Sequence, residues 1–375
     1  MDQPIKSNLF NNVYDGKKVL ITGHTGFKGS WLTKWLINLG AEVIGISNGI
    51  PTNPSLFDIA QIKNHIIHIE EDIRNLDILL NSIRDHNPDF VFHLAAQAIV
   101  STSFKEPINT ITSNVLGTAN VLEALRILNQ KCAVVIVTSD KCYENMEWIW
   151  GYKETDMLGG KDIYSGSKAC AEIIFNSYYR SFFSTDKSNV SIATGRAGNV
   201  IGGGDWAKDR LIPDIMNKWS KGLKVEIRFP TATRPWQHVL EPLSGYLHLA
   251  SQLLNRKELS GQSFNFGPSN HNNYNVMKIV KDMSEQWGFD SSHHAFSITN
   301  NSSFNEAGLL KLNCDKALNE LTWIANLDYD DCVKFVTSWY KNFYKIELEH
   351  EDITLHQIKT YERIAKSKKL VWTQN

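Results

Sequence analysis

The chain has 375 residues, 42% of them hydrophobic, with 39 Lys and Arg set against 40 Asp and Glu for a net charge of -1. That length suits one large or two medium domains around a substantial core. The balanced charge gives no electrostatic footprint for nucleic acid or an anionic membrane, so an anionic ligand must be met by local donors. Five scattered cysteines, Cys132, Cys142, Cys170, Cys314 and Cys332, have no metal-ligand spacing and read as reduced thiols of a cytoplasmic protein. No metal site is expected. The start of the chain has no signal-peptide character, and no apolar run approaches the ~20 residues of a membrane span.

Lys17 to Thr22 reads as a first strand. It enters Gly23-His24-Thr25-Gly26-Phe27-Lys28-Gly29 and then Ser30 to Ile37, which is apolar at helical spacing. A Gly-x-x-Gly-x-x-Gly pattern is weak alone, but strand before and helix after are the context of a dinucleotide-binding turn. Glycines let the backbone approach a pyrophosphate, whose charge sits on the helix N-terminus. Glu42 to Ile46 makes a second strand. Beyond it, NAD sites usually offer an acidic residue to the ribose and NADP sites an arginine. Ser47-Asn48-Gly49 is neither, so the 2′-phosphate state stays open. His65 to Ile73 is the next strand, and Asp72 either holds the adenine or caps the helix begun by Arg74-Asn75.

Asp89 to Gln97 forms a fourth strand whose Ala95 and Ala96 would let a flat cofactor lie against the backbone. His93, inside it, reads as a hydrogen-bonded core histidine. Asn114 to Leu122 starts a long helix. It leads to Ala133-Val134-Val135-Ile136-Val137, an apolar run suited to a parallel strand buried on both faces. The run ends abruptly in Thr138-Ser139-Asp140-Lys141, at the strand end where open α/β sheets bind ligands. Strands alternate with helices through residue 200, which predicts a parallel, doubly wound α/β sheet of Rossmann type with a smaller, mostly C-terminal α/β substrate domain. The expected boundaries are 10–198 plus about 236–262 for the cofactor domain, and 199–235 plus 263–375 for the second. A glycine-rich loop, Gly198 to Trp206, and the segment Arg234 to Val239 open the second unit. The charged stretch Glu347 to Lys369 reads as a solvated or dimer-facing helix.

Tyr164 and Lys168 stand four residues apart, on one helical face. A free phenol has a pKa near ~10, too high to take a proton at neutral pH. A neighbouring ammonium favours the phenolate. Tyr164 could then remove a proton from a sugar hydroxyl as a hydride leaves carbon for NAD, with Ser139 hydrogen-bonding the same oxygen.

The Gly23–Gly29 turn, Ser139 and the Tyr164/Lys168 pair resemble the extended short-chain dehydrogenase/reductase family. The stretches Thr22–Trp31, Thr138–Tyr143, Arg196–Trp206, Arg234–Pro242 and Leu310–Ala317 resemble its nucleotide-sugar 4,6-dehydratases, those acting on CDP-glucose. The likeness runs over nearly the whole chain. It implies a tightly held NAD contacted by Gly23, Thr25, Gly26, Phe27, Lys28 and Gly29, by Asp72 and Ile73, by Leu94, Ala95, Ala96 and Gln97, and by Asn114, Tyr164 and Lys168. It further implies oxidation at C4, loss of water across C5 and C6, and return of the hydride to C6. Asp140 matches the acid that protonates the departing hydroxyl. Lys141 stands where related enzymes carry a glutamate base, either as the C5 base or as a cation stabilising the enolate. Asn199, Arg210 and Arg234 would hold the nucleotide diphosphate, and Trp206, Trp236 and His238 would either line the sugar or base pocket or be core aromatics. A homodimer or higher homo-oligomer is implied, with no nucleic-acid or membrane partner. Two other readings use the same residues: a nucleotide-sugar 4-epimerase, which has no use for Asp140 and Lys141, and a non-catalytic NAD-binding scaffold.

Overall fold

The structure, a computed structural model, describes residues 9–268, 274–299, 309–345 and 350–374. Seven parallel strands form the central sheet: β1 (Lys18–Thr22), β2 (Glu42–Ser47), β3 (Ile67–Glu70), β4 (Phe90–His93), β5 (Cys132–Val137), β6 (Val190–Arg196) and β7 (Ser263–Asn265). Their order is β7-β6-β5-β4-β1-β2-β3, so the direction of winding reverses between β1 and β4. Open α/β sheets bind ligands at such a reversal, outside the carboxyl ends of the strands.

Strand residues alternate between two cores, as the two-residue period of a strand requires. Val19, Ile21, Phe90, Phe92, Val135 and Val137 face one layer. Leu20, Val91, Val134 and Ile136 face the other. Helices α1 (Phe27–Asn38) and α5 (Leu240–Leu253) cover the first layer; α2 (Leu76–His86), α3 (Gly117–Leu128) and α4 (Ile163–Tyr178) cover the second. Every residue of β5 is buried. At ~1.5–3 kcal/mol for each fully buried large aliphatic side chain, this strand is a main source of cohesion.

Beyond the sheet, three short strand pairs build the second unit: Val200–Ile201 with Gln237–His238, Val225–Ile227 with Phe296–Ile298, and Thr233–Arg234 with Tyr274–Asn275. The expected boundary at residue 263 is corrected: Ser263–Asn265 pairs with β6 as the last strand of the main sheet. The strand expected over 65–73 is shorter, because His65 ends a 3-10 turn and Asp72 lies past the pairing with β2.

The C-terminal expectation is corrected as well. Helices α6 (Tyr329–Lys345) and α7 (His350–Ser367) are not a solvated appendage. Ile353, Ile358, Tyr361 and Ala365 are buried in the first core. Trp35 on α1 donates its indole N–H to Glu362 at 2.8 Å. Glu347, Leu348 and Glu349, which begin the charged stretch singled out above, lie outside the described residues. Among the described residues, no helix is long and apolar enough to cross a membrane.

Candidate active site

The candidate site is built from three pieces of chain. Helix α4 is started by Asp162, whose carboxylate accepts from the Ser165 N–H at 2.9 Å and from its hydroxyl at 2.6 Å. That cap fixes the first turn, and with it Tyr164. Tyr164, Lys168 and Glu172 then follow at four-residue spacing on one buried face.

Glu172 anchors the helix to the sheet. Its carboxylate accepts two hydrogen bonds from the Arg196 guanidinium, at 2.9 and 2.8 Å, and others from Thr138, Thr194 and Ser263. Burial alone would raise its pKa, but the Arg196 charge and these donors outweigh that and hold it below the ordinary carboxylate range. Thr138 immediately precedes Ser139, so this pair sets the distance between strand tip and helix. Glu172→Ala would leave Arg196 buried and unpaired, which should cost ~3–5 kcal/mol in a urea unfolding measurement. A loss under ~1 kcal/mol would contradict the anchoring role.

At the strand tip, the Ser139 hydroxyl donates to the Asp140 carboxyl at 3.0 Å and accepts from the Lys141 N–H at 3.2 Å. Asp140 is buried, and its carboxyl lies against Gly198, where an added Cβ would fall 1.8 Å from Oδ2. The Lys141 ammonium has no hydrogen bond or ion pair to another described residue. Burial pushes the Tyr164 phenol up to about 12, with the Ser139 hydrogen bond and the Arg210 charge opposing. The lowering expected from Lys168 is therefore not present in the protein alone. Lys168 is itself lowered to about 8 by burial.

The glycine turn fits a dinucleotide. An added Cβ on Gly23 would lie 2.6 Å from the Ala95 nitrogen, and one on Gly29 would lie 2.0 Å from the Gly23 oxygen. Gly23 has φ +80, the left-handed region that favours glycine. No side chain caps the start of α1, which leaves its first N–H groups for an anionic ligand. Thr25 donates to the Gly49 oxygen at 2.7 Å, tying the turn to the end of β2.

A family model described as GDP-mannose 4,6 dehydratase matches residues 20–336. The chain belongs to this dehydratase family. Among curated proteins, it is 44% identical over 333 residues to the CDP-glucose 4,6-dehydratase of Salmonella typhimurium, covering 88% of this chain and 92% of that one. The CDP-paratose 2-epimerase of Salmonella typhi is 24% identical, over 86% and 98% of the two chains. The fold matches the UDP-glucose 4-epimerase of Thermotoga maritima with a TM-score of 0.76 at 20% identity, covering 88% and 100%. It also matches the dTDP-glucose 4,6-dehydratase of Bacillus anthracis, solved with NAD, at 0.72 and 20%, covering 87% and 97%.

Within this dehydratase-family frame, the outer site residues divide. Asp72 accepts from the Arg74 guanidinium and backbone and from Asn48, and Arg74 holds its carboxyl below the ordinary range. The cap of α2 is Asn75 rather than Asp72. Ile73 is buried against Gly117. Leu94 and Ala95 extend β4 through bonds to the Thr22 carbonyl and hydroxyl. Asn114 receives the Gln97 N–H and donates to the Gln97 carbonyl and the Ser167 hydroxyl, so its amide braces the β4 loop against α4. Arg210 pairs with Asp205 at 2.9 Å, and its charge reaches Tyr164. Arg234 is buried and donates to the Thr233 carbonyl. Asn199 adopts φ +44 in the loop beside Gly198.

His238 is a correction. It is fully buried between Trp31 and Phe335, and burial lowers it to about 3. It belongs to the core, and the apolar Val239 and Leu240 that follow it in sequence were the signal. Trp206 likewise packs among Trp339, Tyr340 and Phe343. Sequence reasoning missed the Glu172–Arg196 anchor, although Glu172 continues the Tyr164/Lys168 spacing by one more turn. His93 is the core histidine expected, held between Thr22 and Thr118 at 2.7 and 3.0 Å.

Proposed function

We propose that this protein is an NAD-dependent CDP-glucose 4,6-dehydratase, converting CDP-glucose to CDP-4-keto-6-deoxyglucose and water for deoxysugar assembly of the lipopolysaccharide type. The observation that carries this reading is a buried Asp140 that accepts from the Ser139 hydroxyl, at a strand tip packed on the helix that carries Tyr164. Redox chemistry at C4 alone needs only a base and a hydroxyl donor; a second acid beside them serves an elimination. CDP as the nucleotide rests on the 44% identical relative.

NAD fits the turn Gly23–Gly29 at its pyrophosphate, Asp72 at its adenosine end, and Tyr164 with Lys168 at its nicotinamide end. When bound, it supplies the acceptor for the C4 hydride and the donor that returns it to C6. Tyr164 takes the proton of the 4-hydroxyl, and Ser139 holds that oxygen. The resulting C4 ketone acidifies C5–H. Lys141 takes the C5 proton while Asp140 protonates the departing C6 hydroxyl. Arg210, Arg234 and Asn199 hold the diphosphate, where a guanidinium can bind two oxygens at once.

Purified protein with NAD, given CDP-, dTDP-, GDP- and UDP-glucose in parallel, should form alkali-absorbing 4-keto-6-deoxy product from the CDP sugar at least ~10-fold faster than from the others. CDP-galactose as the product would instead mean epimerisation and sink the reading. The protein acts as a homodimer through the helices flanking Tyr164, where Phe104, Ile108, Leu116, Ile163 and Ile173 are exposed. Light scattering at the mass of one chain would exclude that. All five cysteines are free thiols, which suits the cytoplasm.

A further inference from the structure

The pairing of β6 with β7 runs out at Arg196, whose carbonyl accepts from the Phe266 N–H at 2.8 Å. The next two residues of that chain, Ala197 and Gly198, form a wall for Asp140. The Ala197 carbonyl accepts from the Asp140 N–H at 3.3 Å. An added Cβ on Gly198 would lie 1.8, 2.2 and 2.8 Å from Oδ2, Cγ and Oδ1 of Asp140, so the whole carboxyl group is seated on that Cα. Oδ1 also takes the Ser139 hydroxyl, at 3.0 Å. The acid is thus placed by backbone on one side and by a single donor on the other.

Gln237 holds the wall from behind. Its amide nitrogen donates to the Gly198 carbonyl at 2.9 Å and to the Phe266 carbonyl at 3.1 Å, so both of its N–H bonds are used. A turned-over amide would set its oxygen against two carbonyl oxygens, which fixes the orientation. The Gln237 backbone N–H adds a bond to the Asn199 carbonyl at 3.4 Å. One residue therefore bridges the extensions of β6 and β7 where their ladder has ended, and grips two successive carbonyls beside Asp140. Gln237 is 2% exposed, and its Oε1 is buried with no hydrogen-bond partner among the described residues. A buried acceptor left unpaired costs stability, and an apolar side chain of similar volume would avoid that cost. The glutamine serves through its two donors, and what they hold is the backbone under Asp140.

Resting on the dehydratase reading above, we propose that Gln237 is a positioning residue for the elimination, acting on the acid Asp140 through Gly198. The oxidation half does not depend on this wall. Ser139 and Tyr164 stand at the tip of β5 and the start of α4, which Glu172 and Arg196 tie together ahead of Gly198. Without the Gln237 donors the Gly198 carbonyl turns away, and the Asp140 carboxyl loses its seat opposite the C6 hydroxyl. A shift of about 1 Å at such a group costs up to ~10²-fold in rate.

Single turnovers of NAD-loaded enzyme with CDP-glucose separate the two halves, because reduced-nicotinamide absorbance rises on C4 oxidation and decays on elimination and hydride return. Gln237→Met keeps the volume and removes both donors. Its rise should stay within ~3-fold of wild type while its decay slows ~30-fold. Gly198→Ala, which sets a methyl group where the carboxyl lies and leaves Gln237 alone, should show the same split. In the Asp140→Asn background no acid remains to be placed, so adding Gln237→Met should change the decay by less than ~2-fold. Should the methionine variant fail to fold, the isosteric Gln237→Glu, with at most one donor, takes its place with the same expected split. A wild-type decay in the Gln237 variant overturns the proposal. Equal slowing of rise and decay overturns it too, as does a full ~30-fold further loss on top of Asp140→Asn, since a general loosening acts whether or not the acid is present. Absence of any rise in the wild type overturns the dehydratase reading together with this one, whereas a normal rise with Gln237-independent decay overturns this one alone.

Discussion

Tyr164→Phe is expected to lose CDP-glucose turnover by ~10³-fold or more while still binding NAD. The phenol sits at the start of the buried face of α4, and burial has moved it up to about 12. Bringing it to ~7 needs ~7 kcal/mol at ~1.4 kcal/mol per unit, which is what Lys168 and the nicotinamide cation must supply. Removing the hydroxyl removes the base itself and no packing, since Phe fills the same volume. Parallel titration of NAD and measurement of keto product separate the two effects. Retained turnover would remove Tyr164 from the base role, and lost NAD binding would make it a cofactor ligand only.

Asp140→Asn should separate the two halves of the reaction. On the proposed mechanism, oxidation at C4 uses Ser139, Tyr164 and Lys168, all left in place. The asparagine amide fits the gap against Gly198 but has no proton to give the C6 hydroxyl. Reduced-nicotinamide absorbance should therefore build up and persist, with net product formation down ~10²–10⁴-fold. A variant that turns over like the wild type, with no build-up, would exclude Asp140 as the acid.

The cofactor half was legible in the sequence for physical reasons. The run Ala133–Val137 has nothing polar to place at a surface, and β5 is buried throughout. Gly23 and Gly29 are glycines because backbone atoms occupy the space a Cβ would need. The misreadings came where one residue type serves two environments. His238 and Trp206 are polar-tipped rings that a pocket or a core can use, and only the long-range packing of α6 decides for the core. The charged helix α7 hides an apolar stripe, Ile353, Ile358, Tyr361 and Ala365, among its lysines and glutamates. Arg196 and Glu172 are 24 residues apart and meet only when helix packs on sheet.

The most direct measurement uses CDP-glucose carrying deuterium at C4 and follows the label in the product by NMR. Movement of the hydride from C4 to C6 within one molecule predicts one deuterium in the C6 methyl group and none in solvent. Deuterium remaining at C4 of a sugar that has kept its C6 hydroxyl, or label released to water, would contradict the account.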